Sequence, residues 1–167
     1  MRTRRAPTYD ELTKRMGRMH PRLRKKKLTV ASAESCTGGL LGAVLSEHSG
    51  SSDHYLGGAV VYSNDAKTVL ADVAPDLIHG HGAVSPVVAG ALARGARLRL
   101  GAKVGLGITG IAGPTGATPG KPVGLVYVAV DSDRHSAVRT LRLPFDRPGN
   151  RLASVGAALD LLEEALA

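Results

Sequence analysis

Short apolar runs alternate along most of the chain with longer segments in which apolar residues recur at helical spacing. The runs predict strands, and the periodic segments between them predict helices. The predicted strands are 28–33, 54–61 and 103–109, and the predicted helices are 39–47, 64–72, 75–79 and 85–100. Two further strands, 123–131 and 135–143, are joined by a short turn and precede a final helix, 147–166. This order predicts an α/β domain, a three-layer α/β/α sandwich with a mixed, mostly parallel sheet and a C-terminal β-hairpin.

The first part of the chain has a different pattern. Residues 1–7 are interpreted as a disordered basic tail, and Thr8-Tyr9-Asp10-Glu11 is a capping-box pattern that predicts the start of a helix. Apolar residues then recur at helical spacing up to Leu23, and Pro21 is expected to kink or restart this helix. The sequence is therefore divided into a basic leader with an N-terminal helix, 1–27, and a domain, 28–167.

The positive charge of the chain is concentrated in the leader. The formal net charge is +8, but residues 1–27 hold 11 Lys/Arg and 2 Asp/Glu, whereas the remaining residues hold 11 and 12. A basic binding face on the domain is not predicted, so nucleic-acid binding is expected only as weak contacts of the leader. The single cysteine excludes an internal disulfide and favours a cytoplasmic location, and no apolar stretch is long enough to cross a membrane.

One stretch, Ala33-Glu34-Ser35-Cys36-Thr37-Gly38-Gly39, lies between the first predicted strand and the first helix of the domain. Small hydroxyl residues and glycines ahead of a helix form an anion-binding layout, because the first N–H groups of a helix have no internal partner. We therefore expect Thr37, Gly38 and Gly39 to hold a phosphate. The alternative is a plain strand-to-helix turn in which Thr37 caps the helix.

Several side chains could act in amide hydrolysis, which needs a nucleophile, a proton shuttle and donors for an oxyanion. The candidate nucleophiles are Ser35, Cys36, Ser51, Ser52, Ser63 and Thr109. Lys67 is a candidate base: if Asn64 caps the helix, the helix dipole and burial both disfavour protonation of the amine. Tyr62 could relay a proton. The alternative is an exposed Lys67 and a half-buried Tyr62. His79-Gly80-His81 is interpreted as a loop, and neither a metal nor a cofactor is predicted.

Five further motifs follow in order: Gly50-Ser51-Ser52, the segment 60–67, His81-Gly82-Ala83-Val84-Ser85, Thr109-Gly110-Ile111-Ala112-Gly113-Pro114 and Lys121-Pro122-Val123-Gly124. With the stretch 33–39, this series resembles the C-terminal domain of the CinA family (competence/damage-inducible protein A), from about Leu28 to the C-terminus. That domain also occurs alone, as a nicotinamide-nucleotide amidohydrolase. Larger family members carry an N-terminal domain that resembles molybdopterin-binding proteins, and activity of that domain is not expected here.

The resemblance implies deamidation of nicotinamide mononucleotide to nicotinate mononucleotide and ammonia. It implies that Ser52 is the nucleophile and Lys67 the base, and that the other residues lining the site are Ser35, Tyr62 and Thr109. A Gly-Asp-Arg motif of the family, which helps to bind substrate, reads Gly149-Asn150-Arg151 here. Arg151 is therefore the expected substrate ligand, with Arg147 nearby and Asn150 in place of the acidic residue.

Two alternatives remain at this stage. Cys36 is a rival nucleophile because thiols are intrinsically stronger nucleophiles than hydroxyls. The oxyanion is expected to be bound near Ser51-Ser52 or by the Gly110–Gly113 loop. Instead of an enzyme, the chain could be a non-catalytic nucleotide-binding or accessory protein associated with competence or DNA damage. A homo-oligomer is expected in either case.

Overall fold

The computed structural model describes residues 5–167, so residues 1–4 of the predicted basic tail lie outside the described part. The helices are α1 (Tyr9–Lys26), α2 (Leu40–Ser46), α3 (Asn64–Ala71), α4 (Pro75–His81), α5 (Pro86–Leu100) and α6 (Arg147–Ala165). The strands are β1 (Val30–Glu34), β2 (Tyr55–Val60), β3 (Val104–Gly110), β4 (Leu125–Ser132) and β5 (Ser136–Arg142). A single 3-10 turn, Ser51–Asp53, precedes β2.

The five strands form one open sheet in the order β2-β1-β3-β4-β5. β1 is parallel to both of its neighbours, and the β3–β4 and β4–β5 pairs are antiparallel. The fold class is confirmed: helices cover both faces of a mixed sheet, and β4 and β5 form the expected hairpin. The sheet is not mostly parallel as predicted, because two of its four strand pairs are parallel and two are antiparallel. Every residue of β1 is buried, as expected for a central parallel strand between two helical layers.

The two helical layers have separate cores. One face packs against α1, α2 and α6, with apolar side chains from all three helices meeting those of β3 and β4. The other face packs against α3, α4 and α5, where Ala31, Ala33 and Val61 meet the helices. The β1–β3 part of the sheet is therefore shielded from water on both sides, and polar groups next to it are held in a dry environment.

The N-terminal helix is part of this core. Thr8 and Glu11 form the predicted capping box, and α1 buries Leu12, Met16, Met19 and Leu23 in the first core. The prediction that the helix restarts at Pro21 is wrong, because α1 continues through this residue, whereas a kink there stays a prediction. Pro21 lies on the exposed side, where water can replace the missing hydrogen bond. Among residues 5–167, no helix is both long and apolar enough to span a bilayer.

Candidate active site

The turn after β1 begins with a buried carboxylate that occupies the N-terminus of α2. Glu34 Oε2 accepts hydrogen bonds from Thr37 Oγ1 at 2.6 Å and from the N–H groups of Gly39 at 3.2 Å and Leu41 at 3.0 Å. Glu34 Oε1 accepts from the N–H of Gly42 at 2.8 Å. The expectation that Thr37, Gly38 and Gly39 hold a phosphate is therefore wrong, because the protein supplies its own anion to these donors.

Ser35, the next residue, points to a buried lysine. Lys67 Nζ lies 3.2 Å from Ser35 Oγ and also contacts three main-chain carbonyl oxygens, those of Val61 at 3.0 Å, Tyr62 at 3.3 Å and Ser63 at 3.5 Å. The side chain of Lys67 is almost fully buried. Within the described residues it contacts no carboxylate, so no negative charge compensates an ammonium group here.

Burial lowers the pKa of the Lys67 amine because the charged form loses its hydration. A neutral amine has two N–H groups and one lone pair. Its N–H groups can be donated to the carbonyls of Val61 and Tyr62, which leaves the lone pair for the hydroxyl of Ser35. The cap of α3 differs from the prediction: Ser63, and not Asn64, is the N-cap, which places Lys67 at the fourth helical position.

The opposite wall of the site comes from the end of β3. Thr109 is buried, and its hydroxyl donates to the carbonyl of Ala83 at 2.7 Å, which holds the loop before α5 against the strand. Gly110 follows at the last position of β3. Together with residues of the loop 111–116, they line a cavity of about 250 Å³ that is also lined by Ser35, Tyr62 and Lys67.

Arg147, at the start of α6, reaches into this cavity, and Arg151 does not. Arg147 donates to the carbonyl of Gly113 at 2.8 Å and to the hydroxyl of Tyr62 at 3.0 Å. Arg151, one turn later, donates to the carbonyl of Thr37 at 2.8 Å. Arg147, and not the predicted Arg151, is therefore the arginine of α6 that lines the cavity, because the main chain of the α2 turn holds the guanidinium of Arg151.

Asn150, between the two arginines, fixes the loop over the cavity. Its side chain is fully buried, donates to the carbonyl of Ala112 at 3.0 Å and accepts from the N–H of Phe145 at 3.1 Å. An ionised aspartate could not donate to Ala112. The asparagine at this position therefore ties the start of α6 to the loop after β3.

Cys36 lines the same cavity but is not a prepared nucleophile. Burial raises the pKa of its thiol to about 11, with Glu34 adding to the effect and the two arginines opposing it. The helix start does not favour a thiolate here, because Glu34 already occupies the N-terminus of α2. Ser35 is also the better placed of the two for Lys67.

Ser52 lies at the other end of the molecule from this cavity. It belongs to the 3-10 turn before β2, whereas Lys67 follows the end of β2, so the two residues are separated by the length of a six-residue strand. At about 3.3 Å per residue that length is about 17–20 Å, so Ser52 and Lys67 of one chain cannot exchange a proton. Within one chain the structure therefore contradicts the prediction that Lys67 activates Ser52, and Ser35 is the serine that lies beside Lys67.

Tyr62 is on the rim of the cavity, and its hydroxyl accepts a hydrogen bond from Arg147. Because Ser35 contacts Lys67 directly, no proton relay through Tyr62 is needed between them. The reasoning on the sequence missed Glu34 and the pairing of Ser35 with Lys67. One signal could have found the pairing. Ser35 follows β1, Lys67 follows β2 and Thr109 ends β3, and the carboxyl ends of parallel strands lie at one edge of a sheet.

Comparison with known proteins places this arrangement in a family. The model of the CinA C-terminal domain matches residues 12–166. The chain is 51% identical over 144 residues to a CinA-like protein of Koribacter versatilis, and 47% identical over 144 residues to a putative competence-damage inducible protein of Moorella thermoacetica. Each of these matches covers 86% of this chain and 35% of the relative, so the chain spans about a third of the length of these curated relatives.

Two solved structures have the same fold over nearly their whole length. The competence/damage inducible protein CihA of Agrobacterium tumefaciens superposes with a TM-score of 0.89 at 36% identity, covering 98% of this chain and 99% of that one. A CinA superfamily protein of Klebsiella pneumoniae superposes with a TM-score of 0.87 at 30% identity, covering 96% and 98%. The chain therefore belongs to the CinA C-terminal domain family.

Proposed function

We propose that this protein is an amidohydrolase that converts nicotinamide mononucleotide to nicotinate mononucleotide and ammonia. The observation that carries the proposal is the contact between Ser35 Oγ and Lys67 Nζ at 3.2 Å, inside a cavity of a protein of this family. Because burial lowers the pKa of Lys67, its amine can accept a proton from a serine hydroxyl. The substrate is the one that the resemblance of the motifs implies.

The reaction follows from this pair in two halves. Ser35 Oγ attacks the carboxamide carbon while its proton moves to Lys67, and a tetrahedral intermediate forms. Lys67 then gives this proton to the amide nitrogen, the C–N bond breaks and ammonia leaves, so that an ester joins the nicotinoyl group to Ser35. In the second half Lys67 takes a proton from water, the hydroxide attacks the ester, and the proton returns to Ser35 as nicotinate mononucleotide is released.

The oxyanion of the tetrahedral intermediate needs N–H donors close to the nucleophile. The N–H groups of Cys36 and Thr37 directly follow Ser35 and make no hydrogen bond to any described residue. In contrast, Ser51 and Ser52 are too far from the Ser35–Lys67 pair to serve. We therefore assign the oxyanion donors to the turn after Ser35, in place of the predicted site near Ser52.

Arg147 is the side chain best placed for the phosphate of the substrate. It lies at the rim of the cavity, and its two contacts to Gly113 and Tyr62 leave N–H groups of the guanidinium unused. A cavity of about 250 Å³ is small for a whole nucleotide, since ligand pockets commonly exceed about 300 Å³. The nicotinamide ring would fill the cavity, and the ribose phosphate would extend to Arg147.

The test measures ammonia release from nicotinamide mononucleotide by the wild-type protein, Ser35→Ala and Ser52→Ala. The two variants make the same chemical change, Ser35→Ala beside Lys67 and Ser52→Ala before the start of β2, so each controls for the other. We expect Ser35→Ala to lose at least about 10³-fold in kcat, because removal of a nucleophile in comparable hydrolases costs this much or more. We expect Ser52→Ala to keep kcat within about threefold.

Two results would contradict the proposal. Full activity of a correctly folded Ser35→Ala variant would show that another group attacks the amide. Absence of ammonia release by the wild-type protein, with nicotinamide mononucleotide and with other pyridine nucleotide amides, would favour a binding or accessory protein.

A further inference from the structure

Much of the positive charge of the leader lies on one face of α1. Lys14, Arg18, Arg22 and Lys25 follow one another at intervals of four, four and three residues, which keeps them on one side of the helix. All four are exposed, whereas the apolar residues of α1 lie on the opposite side, in the first core. At about 1.5 Å per residue these four positions span about 17 Å. α1 therefore presents an ordered row of cations, the cationic row.

A groove of about 770 Å³ runs beside the first half of the cationic row. Lys14 and Arg18 line it from α1, and Arg142, the last residue of β5, lines it as well. The rest of its lining is mostly apolar and includes Leu143 and Phe145 from the segment after β5. Among residues 5–167 the groove shares no lining residue with the candidate active-site cavity, so it is a separate feature of the surface.

The cations of this groove are available to an external anion. The groove contains two carboxylates, and arginines of the chain already bind both of them. These ion pairs are Arg5 with Glu11 and Arg15 with Asp160. Lys14 pairs with the exposed Asp10 of its own helix, a type of contact that is weak in water. Within the described part of the chain, neither Arg18 nor Arg142 forms an ion pair or a side-chain hydrogen bond, so both guanidinium groups can bind a ligand.

We propose that this groove binds a single strand of nucleic acid, with phosphates on Arg18 and Arg142 and on the cationic row that continues beyond them. A strand carries one phosphate per nucleotide, so it repeats its negative charge as the row repeats its positive charge. Guanidinium groups bind phosphate oxygens through two parallel hydrogen bonds. The apolar lining suits the faces of unpaired bases, which stack on aromatic side chains, and Phe145 supplies one such ring.

The cationic row lacks what other anionic partners need. Protein interfaces have an apolar centre, and helices that bind membranes insert an apolar face. The apolar face of α1 is buried in the first core. Tyr9 is the one exposed large apolar side chain of α1, and its hydroxyl donates to Glu47 at 2.8 Å. A duplex keeps its bases paired inside, so they cannot reach the apolar lining. A single strand offers both the phosphates and the open base faces.

The first test measures binding of a labelled oligodeoxythymidine of about 12 nucleotides by fluorescence anisotropy, at salt concentrations from about 20 to 200 mM. If three or four phosphates are neutralised, the slope of log Kd against log salt concentration should be about 2–3 for wild type. Arg18→Glu and Arg142→Glu should each lower this slope by about 0.7 or more. Each should also weaken binding roughly tenfold at about 50 mM salt, because fewer counterions are released.

Arg94→Glu is the matched control for these variants. Arg94 is exposed on α5, which packs on the other face of the sheet, and its substitution makes the same change of charge. It should keep the wild-type slope and most of the affinity, and circular dichroism verifies the fold of each variant. No binding of the oligonucleotide by wild type at low salt, or equal losses in Arg94→Glu and Arg18→Glu, would overturn the proposal.

The second test asks whether bases enter the groove. Phe145→Leu keeps an apolar side chain but removes the aromatic ring, so affinity for the oligonucleotide should fall about three- to tenfold with an unchanged salt slope. A duplex of the same length should bind more weakly than the single strand at equal salt concentration. Unchanged affinity of Phe145→Leu, or a duplex that binds at least as tightly as the strand, would overturn the placement of bases in the groove.

Vesicles of phosphatidylcholine and phosphatidylserine provide the comparison with a membrane surface. They should not displace the oligonucleotide from wild type at low salt. Binding to these vesicles that Arg18→Glu abolishes, together with no binding of the oligonucleotide, would assign the groove to a membrane and overturn the proposal. These measurements do not depend on the proposed amidohydrolase activity, because the groove and the active-site cavity are lined by different residues.

Discussion

The two ends of β2 differ in how their polar side chains are satisfied. At the amino end, Ser51 donates to the carbonyl of His48 at 2.5 Å and Asp53 pairs with Arg24 at 2.9 Å in contact with water. At the carboxyl end, Lys67 is buried against main-chain carbonyls and Ser35, and no carboxylate of residues 5–167 contacts its amine. At the first end, Ser51 and Asp53 each have a polar partner, and the buried His54 contacts the ring of His20. The second holds an amine in an environment that disfavours its charge, which is the condition for base catalysis.

The largest effect is expected from a substitution of the proposed base, Lys67, at the carboxyl end of β2. Lys67→Arg keeps a cation but replaces an amine whose pKa burial lowers with a guanidinium that stays protonated. We expect kcat for nicotinamide mononucleotide to fall by at least about 10³-fold, as for loss of the nucleophile. The measurement is ammonia release, with circular dichroism to verify the fold. Lys103→Arg, on the exposed surface, is the control, and a Lys67→Arg variant with near wild-type kcat would refute the base assignment.

The next largest effect is expected from substitution of the two arginines of α6, Arg147 and Arg151, which should change KM to different extents. Arg147→Ala should raise the KM for nicotinamide mononucleotide about 10- to 100-fold, because a charge-assisted contact to phosphate is lost. Arg151→Ala, whose side chain holds the carbonyl of Thr37, should change KM much less. Nicotinamide riboside, which lacks the phosphate, should be affected little by Arg147→Ala. Equal losses for both substrates would instead assign Arg147 to holding the loop.

The pH dependence sharpens the comparison further. The unprotonated amine of Lys67 is the reactive form, so kcat/KM should rise with pH and level off above the pKa of that amine. Because burial lowers this pKa, the rise should come below the value of 10.5 that is usual for lysine. The measurement is kcat/KM between pH 5 and 10 in buffers of constant ionic strength. A rate that keeps rising up to pH 10 would mean that the amine is not perturbed.

The buried carboxylate at the start of α2 tests how the turn around Ser35 is held. Glu34→Gln replaces one acceptor oxygen by an amide NH₂, so at least one N–H of the turn loses its partner. We expect the free energy of unfolding to fall by about 1–3 kcal/mol in urea denaturation. Asp76→Asn makes a similar change at an exposed first-turn carboxylate of α4 and should cost less than about 0.5 kcal/mol. Equal effects of the two changes would show that the Glu34 contacts add no stability.

The smallest effect concerns the amino end of β2 again. Burial, and then the neighbouring His20, lower the pKa of His54 to about 4, against 6.5 for an ordinary histidine. Between these values the unfolded chain binds a proton that the folded chain does not, so stability falls as the pH is lowered through this window. His54→Leu should therefore have a flatter dependence of Tm on pH between 6.5 and 4. His79→Gln, at an exposed position, should keep the wild-type slope.

Much of the fold could be predicted from the sequence, because apolar periodicity identified every helix and strand to within a few residues. The capping box at Thr8 and the Ser85-Pro86 start of α5 are local signals, and both form as expected. The continuity of α1 through Pro21 is not local. It depends on the burial of Met16, Met19 and Leu23 in the core, and this packing outweighs the lost hydrogen bond.

The candidate site could be predicted only as a set of residues. The sequence indicated Ser35, Lys67, Tyr62 and Thr109, and these four do meet in one cavity. It could not decide between Ser35 and Ser52, because that choice depends on which end of β2 each serine occupies. Likewise, the glycine-rich turn suggested a ligand phosphate, whereas the anion comes from Glu34, one residue before Ser35. The local sequence indicates which residue types form the site. It does not indicate which residue each of them contacts, because those contacts depend on the fold.

The central claim, that Ser35 is the attacking group, is tested most directly by trapping the acyl-enzyme. Wild-type protein is mixed with nicotinamide mononucleotide, quenched in acid within milliseconds to seconds and digested, and the modified peptide is sequenced by fragmentation in a mass spectrometer. The account predicts a nicotinoyl nucleotide ester on Ser35, absent from Ser35→Ala and from Lys67→Arg. An adduct on Ser52 or Cys36 would contradict it.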